Sequence, residues 1–197
     1  MEVSDEDFSI IRSATAVTSN PRGIGGDADT IWYGDPVIGG GRVYHISTVD
    51  FSSLAFGSLT SLTGAGGDAD VLWATKDTFP APGKIYEVNK AALNTILRQA
   101  NSPGRAFGDI GGTPDLIWHC DQFLGNVYEL SSVDFSVIRS AASPYTTSAF
   151  GMGGNAGAIY HTKTGGAGEF AELSTVDFSL VRSALSGRNN RGIGGKR

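Results

Sequence analysis

One unit of about 42 residues recurs along this 197-residue chain, and that period limits the possible folds more than any other feature. Gly-Gly pairs open the segments GIGGDADTIWYGD from Gly23, GAGGDADVLWATKD from Gly64, DIGGTPDLIWHCD from Asp109, GMGGNAGAIYHTK from Gly151 and GIGGKR from Gly192. A second anchor, VDFS or a variant of it, places Phe8, Phe51, Leu93, Phe135 and Phe178 at intervals of 43, 42, 42 and 43. A third sets Tyr44, Tyr86, Tyr128 and Ala171 seven residues before the later four of these. The three anchors agree on the period and phase of the unit.

Each unit holds four short apolar runs separated by turn residues; in the first they lie around Gly23 to Gly26, Thr30 to Tyr33, Arg42 to Ser47 and Ser53 to Leu59. Four strands in about 42 residues match one blade of a β-propeller. Gly, Asp and β-branched residues are too dense for a helical solenoid. A β-helix would repeat faster, and the LxxLxL frame of a leucine-rich repeat is missing. The 28 glycines fit many turns and close backbone packing. With PRGIGGD leading the innermost strand, TIWYGD the second, GRVYHIS the third and VDFSSLAF the fourth, the unit resembles the NHL and YWTD classes of propeller repeat. That resemblance covers nearly the whole chain and implies a fold rather than an activity.

The phase of the ends sets the expected blade number. The whole chain, 1–197, reads as a single all-β propeller domain with full blades at 23–63, 64–106, 107–149 and 150–191. Residues 1–22 supply strands three and four of a further blade, and residues 192–197 its first strand. The sequence therefore predicts a five-bladed ring whose closing blade is split between the termini and incomplete, since rings avoid open edges by mixing terminal strands.

Candidate chemistry is mostly periodic. Trp32, Trp73, Trp118 and Tyr160 hold one equivalent position and read as packing between blades. Asp27, Asp29, Asp68 and Asp70 follow Gly-Gly in DxD turns; they are the weak calcium candidates, with Asx-turns as the plainer reading. Asp7, Asp50, Asp134 and Asp177 read as caps of the turn between strands three and four. Glu87, Glu129 and Glu172, with Glu2 and His45 in the equivalent place, form a recurring set that a glycosidase would need as an acid pair; a solvated edge accounts for them. Arg12, Arg139 and Arg182 recur in the outer strand, with Ala55 and Leu97 in their place elsewhere, and read as solvent-facing or paired with Glu on the neighbouring strand. In Trp118-His119-Cys120-Asp121, strand alternation puts His119 and Asp121 on one face and Cys120 on the other, which argues against a nucleophile. The repeat breaks at Lys76 to Lys84, Leu93 to Arg105 and Gly165 to Glu169.

Charge and cysteine count narrow the class further. The net charge is −5, and residues 186–197 carry four basic side chains and no acid, leaving −5 − 4 = −9 elsewhere, so nucleic acid is not the expected partner. One cysteine, Cys120, allows no internal disulfide. No apolar run is long enough to span a membrane, and MEVSDEDFS is acidic where a signal peptide is basic and then apolar, so the default compartment is the cytoplasm. The sequence supports a binding or scaffolding propeller, without catalytic residues or cofactor, that presents loops to a protein or glycan, as a monomer or self-associating through the incomplete blade. The alternative is a propeller enzyme acting on a polysaccharide.

Overall fold

A computed structural model describes residues 2–3, 8, 10–13, 15, 22–26, 29–36, 40–78, 80–105, 108–145, 149–155, 157–163 and 168–185. A short ladder comes first, β1 (Glu2–Val3) against β2 (Ile10–Arg12). Four antiparallel four-stranded sheets follow. Blade one is β3 (Ile24–Gly26), β4 (Ile31–Asp35), β5 (Gly41–Ile46) and β6 (Ser53–Leu59). Blade two is β7 (Leu62–Gly67), β8 (Leu72–Lys76), β9 (Lys84–Val88) and β10 (Ile96–Asn101). Blade three is β11 (Ile110–Gly112), β12 (Leu116–Asp121), β13 (Asn126–Ser131) and β14 (Val137–Ala142). Blade four is β15 (Ala149–Asn155), β16 (Ala158–Lys163), β17 (Glu169–Leu173) and β18 (Leu180–Leu185). The chain is an all-β propeller.

The structure has four blades where the sequence reading expects five. The inner strands explain the difference: β3 meets β7, β7 meets β11, β11 meets β15, and β15 returns to β3. Main chain touches main chain there. A Cβ on Gly25 would lie 2.7 Å from the Gly66 Cα, and one on Gly111 would lie 2.7 Å from the Gly153 Cα. Only residues without side chains permit that approach, so the recurring Gly-Gly marks the axis itself. The expected split blade is represented among the described residues by the β1–β2 ladder alone; residues 192–197 lie outside them. The ladder nonetheless carries the mark of strands three and four. All five strand pairs of this type have a register shift at one equivalent point, beside Glu2, His45, Glu129 and Glu172 and, in blade two, between Ile96 and Arg98.

Neighbouring blades are joined by one recurring device. The tryptophan of each of the first three blades faces the next: Trp32, Trp73 and Trp118 are 2%, 1% and 1% exposed. Trp73 packs with Ile117, Tyr128 and Phe135 of blade three, and Trp118 with Ile159, Leu173 and Phe178 of blade four. The plugging phenylalanines Phe8, Phe51, Phe135 and Phe178 sit in the turn after the third strand at φ between 59° and 62°, a conformation strained for a bulky residue. Hydrogen bonds hold them there. In blade three, Ser131 N–H donates to Ser136 O at 2.9 Å and Phe135 N–H donates to Ser131 O at 2.9 Å. Asp134 Oδ1 accepts from the Ser136 amide and hydroxyl at 3.1 and 2.7 Å. Asp50 and Asp177 make the same pair of bonds to Ser52 and Ser179.

An arginine from the preceding outer strand closes the joint. Arg139 Nε donates to Glu129 at 3.0 Å, its guanidinium lies 4.5 Å from the Phe178 ring, and its terminal nitrogens donate to Thr175 O and Val176 O. Arg98 does the same one joint earlier, with Glu87 at 2.6 Å, Ser132 O at 2.8 Å, Val133 O at 2.7 Å and the Phe135 ring at 5.1 Å. Arg182 bonds Glu172 at 2.6 Å and lies 4.6 Å from Phe8. Phe8 in turn meets Tyr160 and Phe170, each at 6.5 Å. The N-terminal segment thus docks on blade four as each later blade docks on the one before it.

Candidate functional site

The strongest concentration of polar chemistry lies where the inner strands begin. Asp109 stands one residue before β11, in the place held by Gly23, Gly64 and Gly151 in the other units. It is 1% exposed. Its Oδ1 accepts the Ile110 N–H at 2.9 Å, its Oδ2 accepts the Met152 N–H at 3.4 Å, and the Ile24 N–H also donates to its carboxyl. Burial pushes this carboxyl well above the usual carboxylate range, while the three amides pull the other way.

His119, one strand further out, is fully buried. Its Nδ1 lies 3.1 Å from Asp109 O, which can only accept, so Nδ1 carries the proton and Nε2 accepts from Ser102 Oγ at 3.0 Å. Ser102 Oγ also accepts the Gly104 N–H at 3.2 Å. The bond order is that of an activated serine. Burial and repetition argue for a joint instead. Ser143 and His161 form the same pair in the next blade at 2.9 Å, with His161 Nδ1 donating to Gly151 O at 2.7 Å, and both histidines are 0% exposed. Burial lowers each imidazole to about 4, so both are neutral at physiological pH.

Cys120 is equally enclosed. Its Sγ accepts the Asp109 N–H at 3.4 Å, and burial pushes the thiol up, away from the reactive thiolate. As strand alternation predicts, Cys120 packs toward blade four while His119 and Asp121 turn toward the loop leaving blade two. Asp121, 0% exposed, caps main chain on two sides: Oδ2 accepts the Arg105 N–H at 2.7 Å, and Oδ1 accepts the Phe123 and Leu124 amides at 2.8 and 3.1 Å.

The remaining candidates are spread over the molecule. Asp68 Oδ1 accepts the Asp70 and Val71 amides at 2.8 and 3.0 Å, an Asx-turn, and Asp68 O accepts Trp32 Nε1–H at 2.8 Å. Asp29 and Asp70 are exposed; Asp7 and Asp27 lie outside the described residues. Among the described residues no three His, Cys, Asp or Glu side chains converge as a metal site would require. Glu87, Glu129 and Glu172 are each taken by an arginine of the neighbouring strand. In blade two that arginine is Arg98, because Glu87 pairs with it across a register shift, and the Leu97 expected from sequence spacing is offset by one. His45 stacks on Trp32 at 4.7 Å. Bonds at the turn pull Asp50 down to about 2, first through the Ser47 hydroxyl and then through Ser52; the Ser136 and Ser179 hydroxyls lower Asp134 and Asp177. Sequence reasoning missed Asp109, Ser102, Ser143 and Arg98. The one available signal was Asp109 itself, the only departure from glycine at its repeat position.

No protein-family model and no curated protein matches this sequence. Solved structures do match in fold. A glutaminyl cyclase from Myxococcus xanthus aligns with a TM-score of 0.61 at 11% identity, over 86% of this chain and 75% of that one. A protein of unknown function from Bacteroides caccae aligns with 0.55 at 14% identity, over 84% and 61%. BamB from Moraxella catarrhalis, a propeller protein, aligns with 0.50 at 16% identity, over 87% and 52%. No helix among the described residues is long and apolar enough to cross a membrane. At these identities the likeness establishes the propeller fold and nothing finer.

Proposed function

We propose that this propeller is a binding or scaffolding module without catalytic residues, presenting its turns to a protein or glycan. One observation carries the reading: the described side chains near the axis with chemistry to offer, Asp109, His119, Cys120, Asp121 and His161, are buried and bonded to main chain or to a buried serine. A catalytic group needs a face toward substrate, and these have none. Side chains at the turns face outward instead. Val49, Val133 and Val176 are 82%, 82% and 81% exposed on the tightly bonded turns beside the plugging phenylalanines, and regularly placed apolar prongs suit a partner surface.

The second reading, an enzyme acting on a polysaccharide, draws support from the fold shared with a glutaminyl cyclase. A glycan array followed by assay of the bound glycans separates the two. Specific retention without new reducing ends supports the binding module; released product overturns it. We infer further that the β1–β2 ladder and residues 192–197 form a split closing blade, on the strength of the Arg182–Phe8 contact and the shared register shift. Light scattering on a size-exclusion column tests whether one chain suffices: a monomer fits closure within the chain, and a dimer fits closure by a partner.

A further inference from the structure

Asp109 reaches all four blades from one side chain. It belongs to blade three, accepts amides from Ile24 of blade one and Met152 of blade four, and lies over blade two, where a Cβ on Gly64 would come within 2.5 Å of Oδ1. A Cβ on Gly23 would come within 2.2 Å of the same oxygen. Gly23 and Gly64 therefore leave the space that this one carboxyl fills. Main-chain N–H groups converging in a concavity make a receptor for anions. We propose that the starts of the inner strands form a cup of main-chain amides at the end of the axis, a site for a small carboxylate. Asp109 is the tethered ligand that occupies it and locks the four blades together.

The cup can be emptied by restoring the glycine of the repeat. Asp109→Gly leaves the Ile24 and Met152 amides without their acceptor, and its melting temperature falls by about 5 °C or more. Formate has the carboxylate without the chain. In buffers matched with sodium chloride for ionic strength, at neutral pH, sodium formate raises the melting temperature of Asp109→Gly in a saturable way. It leaves the wild type and Asp109→Asn, whose side chains fill the cup, unchanged. If Asp109→Gly does not fold alone, its refolding yield in formate against chloride becomes the readout, with recovery expected only in formate. An Asp109→Gly protein as stable as the wild type overturns the proposal. So does a formate effect shared by all three proteins, or a variant that recovers in neither salt.

Discussion

The joint between blades one and two differs from the two joints that flank blade three, although all bury a tryptophan against the next blade. The later joints carry two polar ties each: a serine from the outgoing loop bonded to a buried histidine, and an arginine that joins its own glutamate to the next turn. The first joint has neither. Ala74 stands where His119 and His161 stand, Ala55 pairs with His45 where arginine pairs with glutamate, and Leu93 replaces the phenylalanine plug. Leu93 instead presses directly on the outer strand of blade one, where a Cβ on Gly57 would lie 2.4 Å from it. The same packing problem is solved once with a tryptophan bonded to the next blade's main chain and no histidine or arginine tie, and twice with titratable groups added, so acid and point substitutions should open the later joints first.

Protonation should show the largest difference. The imidazoles of His119 and His161 sit near 4 in the fold against an ordinary value of 6.5. Their contribution is therefore present above pH 6.5 and lost as pH falls toward 4, by about 3 kcal/mol for each histidine. Asp109 acts in the opposite sense, since a raised carboxyl favours the fold as pH falls. Cys120 stays protonated throughout this window, and Asp121 is the other carboxyl on the same strand. The histidine effect is isolated by subtracting the urea unfolding free energy of a double His119→Gln, His161→Gln variant from that of the wild type at each pH. A difference that stays flat from pH 7 to 4.5 would remove the histidines from the account.

Removing a plug comes next. Phe135→Ala should destabilise by about 3–4 kcal/mol, because it empties space against Trp73, whose ring meets it edge-on at 5.9 Å, and strips Arg98 of its stacking face. Leu93→Ala should cost nearer 2–3 kcal/mol, with fewer atoms removed and no stacked guanidinium to lose its ring. Equal losses in chemical denaturation would mean that the arginine adds nothing to the later joints.

The arginine tie itself is smaller. Arg139→Ala should cost about 1–2 kcal/mol, since the side chain is partly buried and makes both a charged bond and a ring contact. Transplanting the tie, His45→Glu with Ala55→Arg, should gain at most about 1 kcal/mol, because Leu93 offers no ring to stack on. A gain above the loss measured at Arg139 would show that the glutamate–arginine pair, and not the ring, is the source.

Much of this was legible in the sequence, and the reasons are local. The period, the four strands, the tryptophan between blades and the Asx-turn at Asp68 each follow from residues within one unit and the neighbours it must bury. Arg98 was misplaced because the turn from Asn89 to Thr95 is one residue longer than that from Ser47 to Ser52, which shifts pairing in a way that counting from the glycines cannot show. Ser102 and His119 belong to different blades, so no motif joins them. Asp109 was not singled out because its three amide partners come together only around the axis. Four blades stand where the period led us to expect five, because residues 192–197, the expected inner strand of the split blade, lie outside the described residues and the described inner strands meet one another around the axis.

The central claim is that one joint recurs around the ring and also holds the N-terminal ladder. A double-mutant cycle of Arg182→Ala and Phe8→Ala, run beside one of Arg139→Ala and Phe178→Ala, tests it most directly. The account predicts coupling of about 1 kcal/mol in both cycles, because both guanidiniums lie against their rings, at 4.6 and 4.5 Å. Coupling at Arg139–Phe178 with none at Arg182–Phe8 would contradict it, leaving the ladder as an appendage to the propeller.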